Sequence, residues 1–378
     1  MNKRTVLAYV ITGFLFLLVP SSAAPDNDAL LAAKITAATE KWLALLSSDQ
    51  RFDAVRPYSD ERPDWHFIPR PQRKGVSLQN MTVPQRKAAF DILRLLTSSS
   101  GYDKARMTMK QQGYLKKKLN QNPPHCCGKY GTQCSQWDPT KPKSQQTPGC
   151  PSLYDEQFYF VSLFGLPSAM GNWGLSFEGH HLSLNYTFDG GKIIGSTPTA
   201  FGSDPAIMMS SDYPPIPKGT RLLTDIDDLG MDLMNALTPD QKKITASTMP
   251  YTSNLWDAGG PQPLGAYPPW GLAASAMNDD QKKILHRLIG KFADDNPAEI
   301  AASRLSEANA DFDNLHFAFF GTPQPGKPRQ YRIQGTSIII ELSNSQPDPL
   351  GNPCNHIHST WRNLKGDFGT PNLIYPSH

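Results

Sequence analysis

The chain is nearly balanced in charge, with 37 Lys and Arg against 34 Asp and Glu in 378 residues. It therefore lacks the one-signed field that nucleic-acid partners require. No G-x-G-x-x-G follows a strand pattern and no Walker A lysine loop occurs, which argues against a nucleotide-phosphate cradle. No G-x-S-x-G occurs, so nothing marks a serine nucleophile elbow. Mean hydropathy is −0.45, which excludes a polytopic membrane protein. Cysteine is scarce, at five residues, and the length rules out a mini-protein held only by disulfide staples.

Proline (34) and glycine (28) are abundant and predict many turns and long loops. The first 24 residues read as a cleavable export signal. Lys3 and Arg4 precede an apolar run from Val6 to Val19, and Ser22-Ala23-Ala24 supplies small residues before Pro25. The run is shorter than the ~20 residues of a membrane span. Cleavage after Ala24 removes two basic residues and no acid, so the net charge falls from +3 to +1. A secreted or periplasmic location is expected, with no stable membrane anchor. Cys126, Cys127, Cys134 and Cys150 crowd one Pro/Gly/Gln-rich stretch. In an oxidising compartment they could form two disulfides. A metal knuckle with His125 is the weaker reading, since no C-x-x-C pair is present. Cys354 stands apart, as a disulfide partner for that loop, a buried thiol or a nucleophile.

Helical periodicity is expected over residues 27–47 and 102–120 and after Thr82, a plausible N-cap with Pro84 in the first turn. Thr238-Pro239-Asp240-Gln241 and Asn278-Asp279-Asp280-Gln281 resemble that start. Their similarity stops after six residues, so they read as separate helix starts rather than repeats. Residues 57–75 read as an extended loop with a short strand over 64–69. Strand patterns cover 157–163, 173–188 as the longest segment, 192–195, 315–320, 331–333 and 337–342. Residues 197–220 read as loop. Strands grouped in two places, with helices before and between them, argue an α+β fold. The expected core is a mixed or antiparallel sheet with flanking helices. One α+β domain over 25–378 is expected, with 121–152 as a Cys-rich insertion.

Two histidine pairs carry the chemistry. His356 and His358 would share a strand face, as would Glu178 and His180. His181 would face the other way unless the chain bulges at Gly179, in which case it could replace or join His180. Three imidazoles and a carboxylate suit a divalent metal, zinc first, with copper or iron as alternatives. Structural histidines are the competing reading. Arg362 could clamp an anionic small-molecule substrate, or simply pair with Asp367 at the surface. Glu341 could orient a histidine. His66 and His316 read as packed residues, and His286 as solvated. Sequons start at Asn80 and Asn185.

Several stretches resemble one family of exported proteins, catalogued as a domain of unknown function, number thirty-five hundred. They include Trp173 to Asn185, with Glu178-Gly179-His180-His181 at its heart. Trp65, Pro69, Arg73-Lys74-Gly75, Thr197-Pro198-Thr199, Pro205, Tyr331 to Gly335 and Ile340-Glu341 are also similar. So are Asn355 to His358, Trp361-Arg362 and Asp367-Phe368-Gly369. The resemblance implies one family unit over nearly the whole mature chain. Residues 121–152 stand as an insertion in it, and Asn363 stands where the family has Asp. It supplies no activity. The residues point to a metal-dependent hydrolase: His180, His181, His356 and His358 as ligands, and Glu178, Arg362 and Asp367 as catalytic groups. A non-catalytic metal- or ligand-binding protein, or a copper or iron oxidoreductase, would use the same ligands.

Overall fold

The structure is a computed structural model that describes residues 27–58, 62–70, 73–121, 154–246, 255 and 268–370. The expected export signal, the four clustered cysteines and most of the expected 121–152 insertion lie outside the described residues. The first half contains α1 (Asn27–Leu45), α2 (Ser48–Ala54), β1 (Val55–Arg56), β2 (Val76–Ser77), α3 (Val83–Leu96) and α4 (Ser99–Gln121). It continues with β3 (Tyr159–Phe164), β4 (Trp173–Gly179), β5 (Leu182–Asp189), β6 (Lys192–Gly195) and β7 (Thr199–Ser203). The second half contains α5 (Thr224–Ala236), α6 (Pro239–Thr245), β8 (Leu272–Ala273), α7 (Asp279–Ala293) and α8 (Ala298–Ala310). It ends with β9 (His316–Gly321), β10 (Arg329–Gln334), β11 (Ile338–Gln346) and β12 (His356–Asn363).

These strands form one 12-stranded sheet in the order β1-β3-β4-β5-β7-β12-β11-β10-β9-β8, with β2 on β3 and β6 on β5. Only β1–β3 is parallel among these strand pairs, so the sheet is mixed and the fold α+β, as expected. Three local expectations are corrected. Residues 64–69 form no strand. The long 173–188 segment is two strands, broken at His180-His181. The 197–220 loop contains β7, which lies between β5 and β12.

The sheet has two unlike faces, because side chains alternate along each strand. One face carries Val161, Leu175, Phe177, Leu184, Ile340 and Trp361 into the main apolar core, with Trp42 from α1, Leu93 from α3 and Leu288 from α7. The other face carries Ser176, Glu178, Ser183, Asn185, His358, Thr360, Arg362, Glu341 and Arg332, all buried. Trp65 and Phe67, from the loop after α2, pack over it with Ala200 and Phe368. A polar face covered by loops is where a ligand site is most readily built.

The two halves repeat one another about the central β7–β12 pair. Outward from it run β5, β4, β3 and β2 on one side, and β11, β10, β9 and β8 on the other. Val76 pairs Val161 as Leu272 pairs Phe317. Gly75 (φ 87°) and Gly271 (φ 89°) precede these short strands, and at each a Cβ would strike the carbonyl of the facing strand, Val161 or Phe317. The helix caps repeat too. Gln85 closes the α3 box on Thr82 N (2.8 Å), and its amide pairs with Gln50 of the α2 box (3.1 and 2.8 Å). Gln281 closes the α7 box on Asn278 N (3.0 Å), and its amide pairs with Gln241 of the α6 box (3.1 and 2.9 Å). The helix start at Asn278 is thus the counterpart of the one at Thr82, while the start at Thr238 corresponds to the Ser47 cap of α2.

Candidate metal centre

The histidines meet where the two halves join. β4 ends at Gly179 and β5 begins at Leu182, so His180 and His181 form a two-residue turn. His181 sits in the left-handed region (φ 65°), which costs a non-glycine residue about 1 kcal/mol or more. Tertiary contacts hold it there. Its N–H donates to Phe67 O (2.6 Å), and its carbonyl accepts from Gly202 N (2.8 Å). Gly202 leaves room for the ring, since a Cβ there would lie 2.6 Å from His181 Cγ. Tyr159 Oη donates to His180 O (2.6 Å) and fixes the other turn residue.

His356 and His358 project from one face of β12, as the alternation predicts. His181 Nε2 lies 2.8 Å from His356 Nε2 and 3.0 Å from His358 Nε2. One nitrogen carries at most one proton, so it cannot be donor to one partner and acceptor from the other. Nitrogens on a tetrahedral ion at ~2.05 Å stand about 3.3 Å apart, so the spacing is close to that of a shared ligand set. Phe67 packs edge-on against His358 at 5.1 Å and walls the site.

Two further groups complete the cluster. His180 Nδ1 lies 2.6 Å from Gln112 Oε1 on α4, an acceptor. That contact places the proton on Nδ1 and leaves Nε2 as a lone pair, and Nε2 has no hydrogen-bond partner. Asp204, just past β7, is completely buried, and neither carboxylate oxygen has a hydrogen-bond partner. One oxygen lies 3.8 Å from His356 Nδ1. Ligand atoms of His180, His181, Asp204 and His356 all lie within 4.8 Å of one another. Burial holds the His180, His181 and His358 imidazoles well below their ordinary pKa, with neighbouring imidazoles adding to the effect. Burial pushes the Asp204 carboxyl well above its own. His180 Nε2, His181 Nδ1 and both Asp204 carboxylate oxygens are buried without a hydrogen-bond partner, and a cation would satisfy such groups. This cluster can hold a metal ion; its geometry does not name the element.

The predicted residues are only partly brought together. Three of the four predicted histidine ligands, His180, His181 and His356, join the cluster with Asp204, the first two from a turn rather than a strand; His358 lies beside it, with its Nε2 3.0 Å from His181 Nε2. Glu178 does not share a strand face with His180, because β4 ends at Gly179. Its carboxylate accepts from Ser183 Oγ (2.9 Å) and lines a separate cleft. Arg362 Nε donates to Asp367 Oδ2 (2.7 Å), both fully buried, so this is a core ion pair rather than a surface one. Glu341 accepts from Arg332 Nε (2.6 Å). His66 meets Asp64, and His286 stacks on Phe312. Cys354 is unbridged among the described residues, and burial raises its thiol pKa, which opposes a thiolate nucleophile. Asn185, in the second sequon, is 2% exposed and bonded to Ser183 and Pro198, so a glycan does not fit there. Asp204 is the residue the sequence reading missed, hidden in a stretch read as loop.

No curated protein and no solved structure matches the chain. A family model described as "Protein of unknown function (DUF3500)" matches residues 28–370 and spans both histidine motifs. The chain belongs to that family.

Proposed function

We propose that the protein is an exported metal-dependent hydrolase, with its metal held by His181, His356 and His358 and completed by His180 or Asp204. The observation that carries this reading is the approach of His181 Nε2 to both His356 Nε2 (2.8 Å) and His358 Nε2 (3.0 Å) beside an orphaned buried carboxyl. A divalent metal here would supply Lewis acidity and lower the pKa of a ligated water. The chain's own part is to hold the imidazoles neutral, orient His180 through Gln112, and exclude bulk water with Phe67 and Tyr154. Zinc suits this nitrogen-rich set, and copper or iron would take the same ligands.

A second reading has its own support. The four histidines are 0–8% exposed, which also suits a closed metal site without catalysis. The test is metal content of the untagged protein, measured by mass spectrometry, for wild type and for His181→Ala, His356→Ala and His358→Ala. About one metal per chain, lost in each variant, supports the centre. Metal that is substoichiometric and indifferent to all three variants refutes it. Exchange of water at the bound metal, read by relaxation with a paramagnetic substitute, separates the open enzyme site from the closed one.

A further inference from the structure

The loop that walls the histidine centre also borders a second site. Phe67 gives its carbonyl to His181 and its ring to His358. The residues flanking Phe67 are gripped from the other side. Arg73 donates Nη1 to His66 O (2.7 Å) and Nη2 to Ile68 O. Beyond Arg73 opens a cleft of about 250 Å³, lined by Arg56, Arg70, Arg73, Lys74, His66, Asp64 and Glu178.

The lining is cationic. Four side chains there carry a full positive charge and two a negative one. Asp64 is already engaged, accepting from His66 Nε2 (2.8 Å) and Arg70 Nη1 (3.1 Å), with Lys74 Nζ 3.7 Å away. Glu178 accepts from Ser183 Oγ. The space is ample for a small oxyanion-bearing molecule. Guanidinium groups match oxyanions in both charge and shape.

We propose that this cleft binds the carboxylate or phosphate group of a small molecule. Arg70 is the contact at its mouth; Lys74, whose ammonium also donates to Asp64 O, and Arg73, fixed by its two carbonyls, are the positive wall behind it. Glu178 rejects a second anionic group and accepts a hydrogen bond from a ligand hydroxyl or ammonium. The binding claim needs no metal; that the bound molecule is the centre's substrate rests on the reading given above. Occupancy would reach the histidines through Arg73 and the 66–68 carbonyls on either side of Phe67.

The test is calorimetric titration of the full chain with inorganic phosphate and, separately, with malonate, at 0.15 M NaCl. Titrations are run on protein as purified and after chelator treatment. Saturable binding of at least one anion is expected, unchanged by chelator. It should weaken at least tenfold in Arg70→Gln/Lys74→Gln and stay unchanged in Lys87→Gln/Lys243→Gln, which removes two exposed lysines. Arg70→Gln alone, at a half-exposed position, should lose part of the affinity with an unchanged melting temperature. The anion that binds more tightly identifies the headgroup. Absence of saturable binding by either anion overturns the proposal, as does equal affinity in the cleft and control variants. Binding abolished by chelator moves the anion to the histidine centre and overturns the cleft assignment while leaving the metal reading intact.

Discussion

Replacing Gly202 by alanine would test the histidine turn with a single methyl group. The added Cβ would lie 2.6 Å from His181 Cγ and 2.8 Å from its Cβ and Cδ2. Ordinary carbon contacts are about 3.5–4.0 Å, so the ring must retreat by about 1 Å. It cannot swing away freely, because the His181 backbone is tied to Phe67 O on one side and to Gly202 N on the other. Overpacking of this kind costs about 1–3 kcal/mol in the metal-free protein. Metal–ligand distances tolerate only about ±0.2 Å, so a shift of ~1 Å removes His181 from the ligand set. Metal affinity should then fall by about a hundredfold or more, since even outer-shell changes cost 10–100-fold. Denaturant unfolding of chelator-treated protein measures the first effect, and competition with a chromophoric chelator measures the second. Unchanged metal affinity with normal folding would refute the placement of His181 in the centre.

Asp204→Ala should lower metal affinity while costing the metal-free protein little, about 1 kcal/mol, because the carboxylate makes no hydrogen bond that is lost. Parallel unfolding and chelator-competition curves distinguish this from a structural role. Gln85→Ala and Gln281→Ala should each destabilise by about 1–3 kcal/mol, since each removes a capping-box acceptor and the donor to a backbone carbonyl, Leu45 O or Ala236 O. Similar losses in urea unfolding are expected from equivalent positions of a repeat. Widely different losses would count against that equivalence. The hydrogen bond from His66 holds the Asp64 carboxyl below the usual carboxylate range, with Lys74 and Arg70 adding to it. A depressed folded-state pKa means that this stabilisation is present above about pH 4 and is lost as pH falls further. Asp64→Asn should therefore flatten the stability profile below pH 4, as read by melting temperature against pH.

The sequence makes the chemistry of this site more legible than its geometry. His356 and His358 follow directly from strand alternation, and β12 is a regular strand. The 173–188 segment is misread as one strand although its apolar positions change phase at the break, from Trp173, Leu175 and Phe177 to Leu182, Leu184, Tyr186 and Phe188. The turn carries no Gly or Asn at its left-handed position; His181 occupies it, held by Phe67 and Gly202 from distant parts of the chain. β7 is short, with Ala200 and Gly202 inside it and prolines on both sides, so local propensity argues against a strand. Pairing to β5 and β12 supplies what propensity lacks. Asp204 is invisible for the same reason, since it gains its position only from that strand. The helix caps are legible one by one, but the glutamine pairs joining them are long-range contacts that no local pattern encodes.

The central claim is a metal held by imidazoles from both halves of the chain. X-ray absorption at the metal edge of the purified protein tests it most directly. Three or more nitrogen ligands at 2.0–2.1 Å with an imidazole scattering signature are predicted, with at least one lost in His358→Ala. A metal whose nearest shell is oxygen or sulfur, or a spectrum identical in wild type and His358→Ala, would contradict the account.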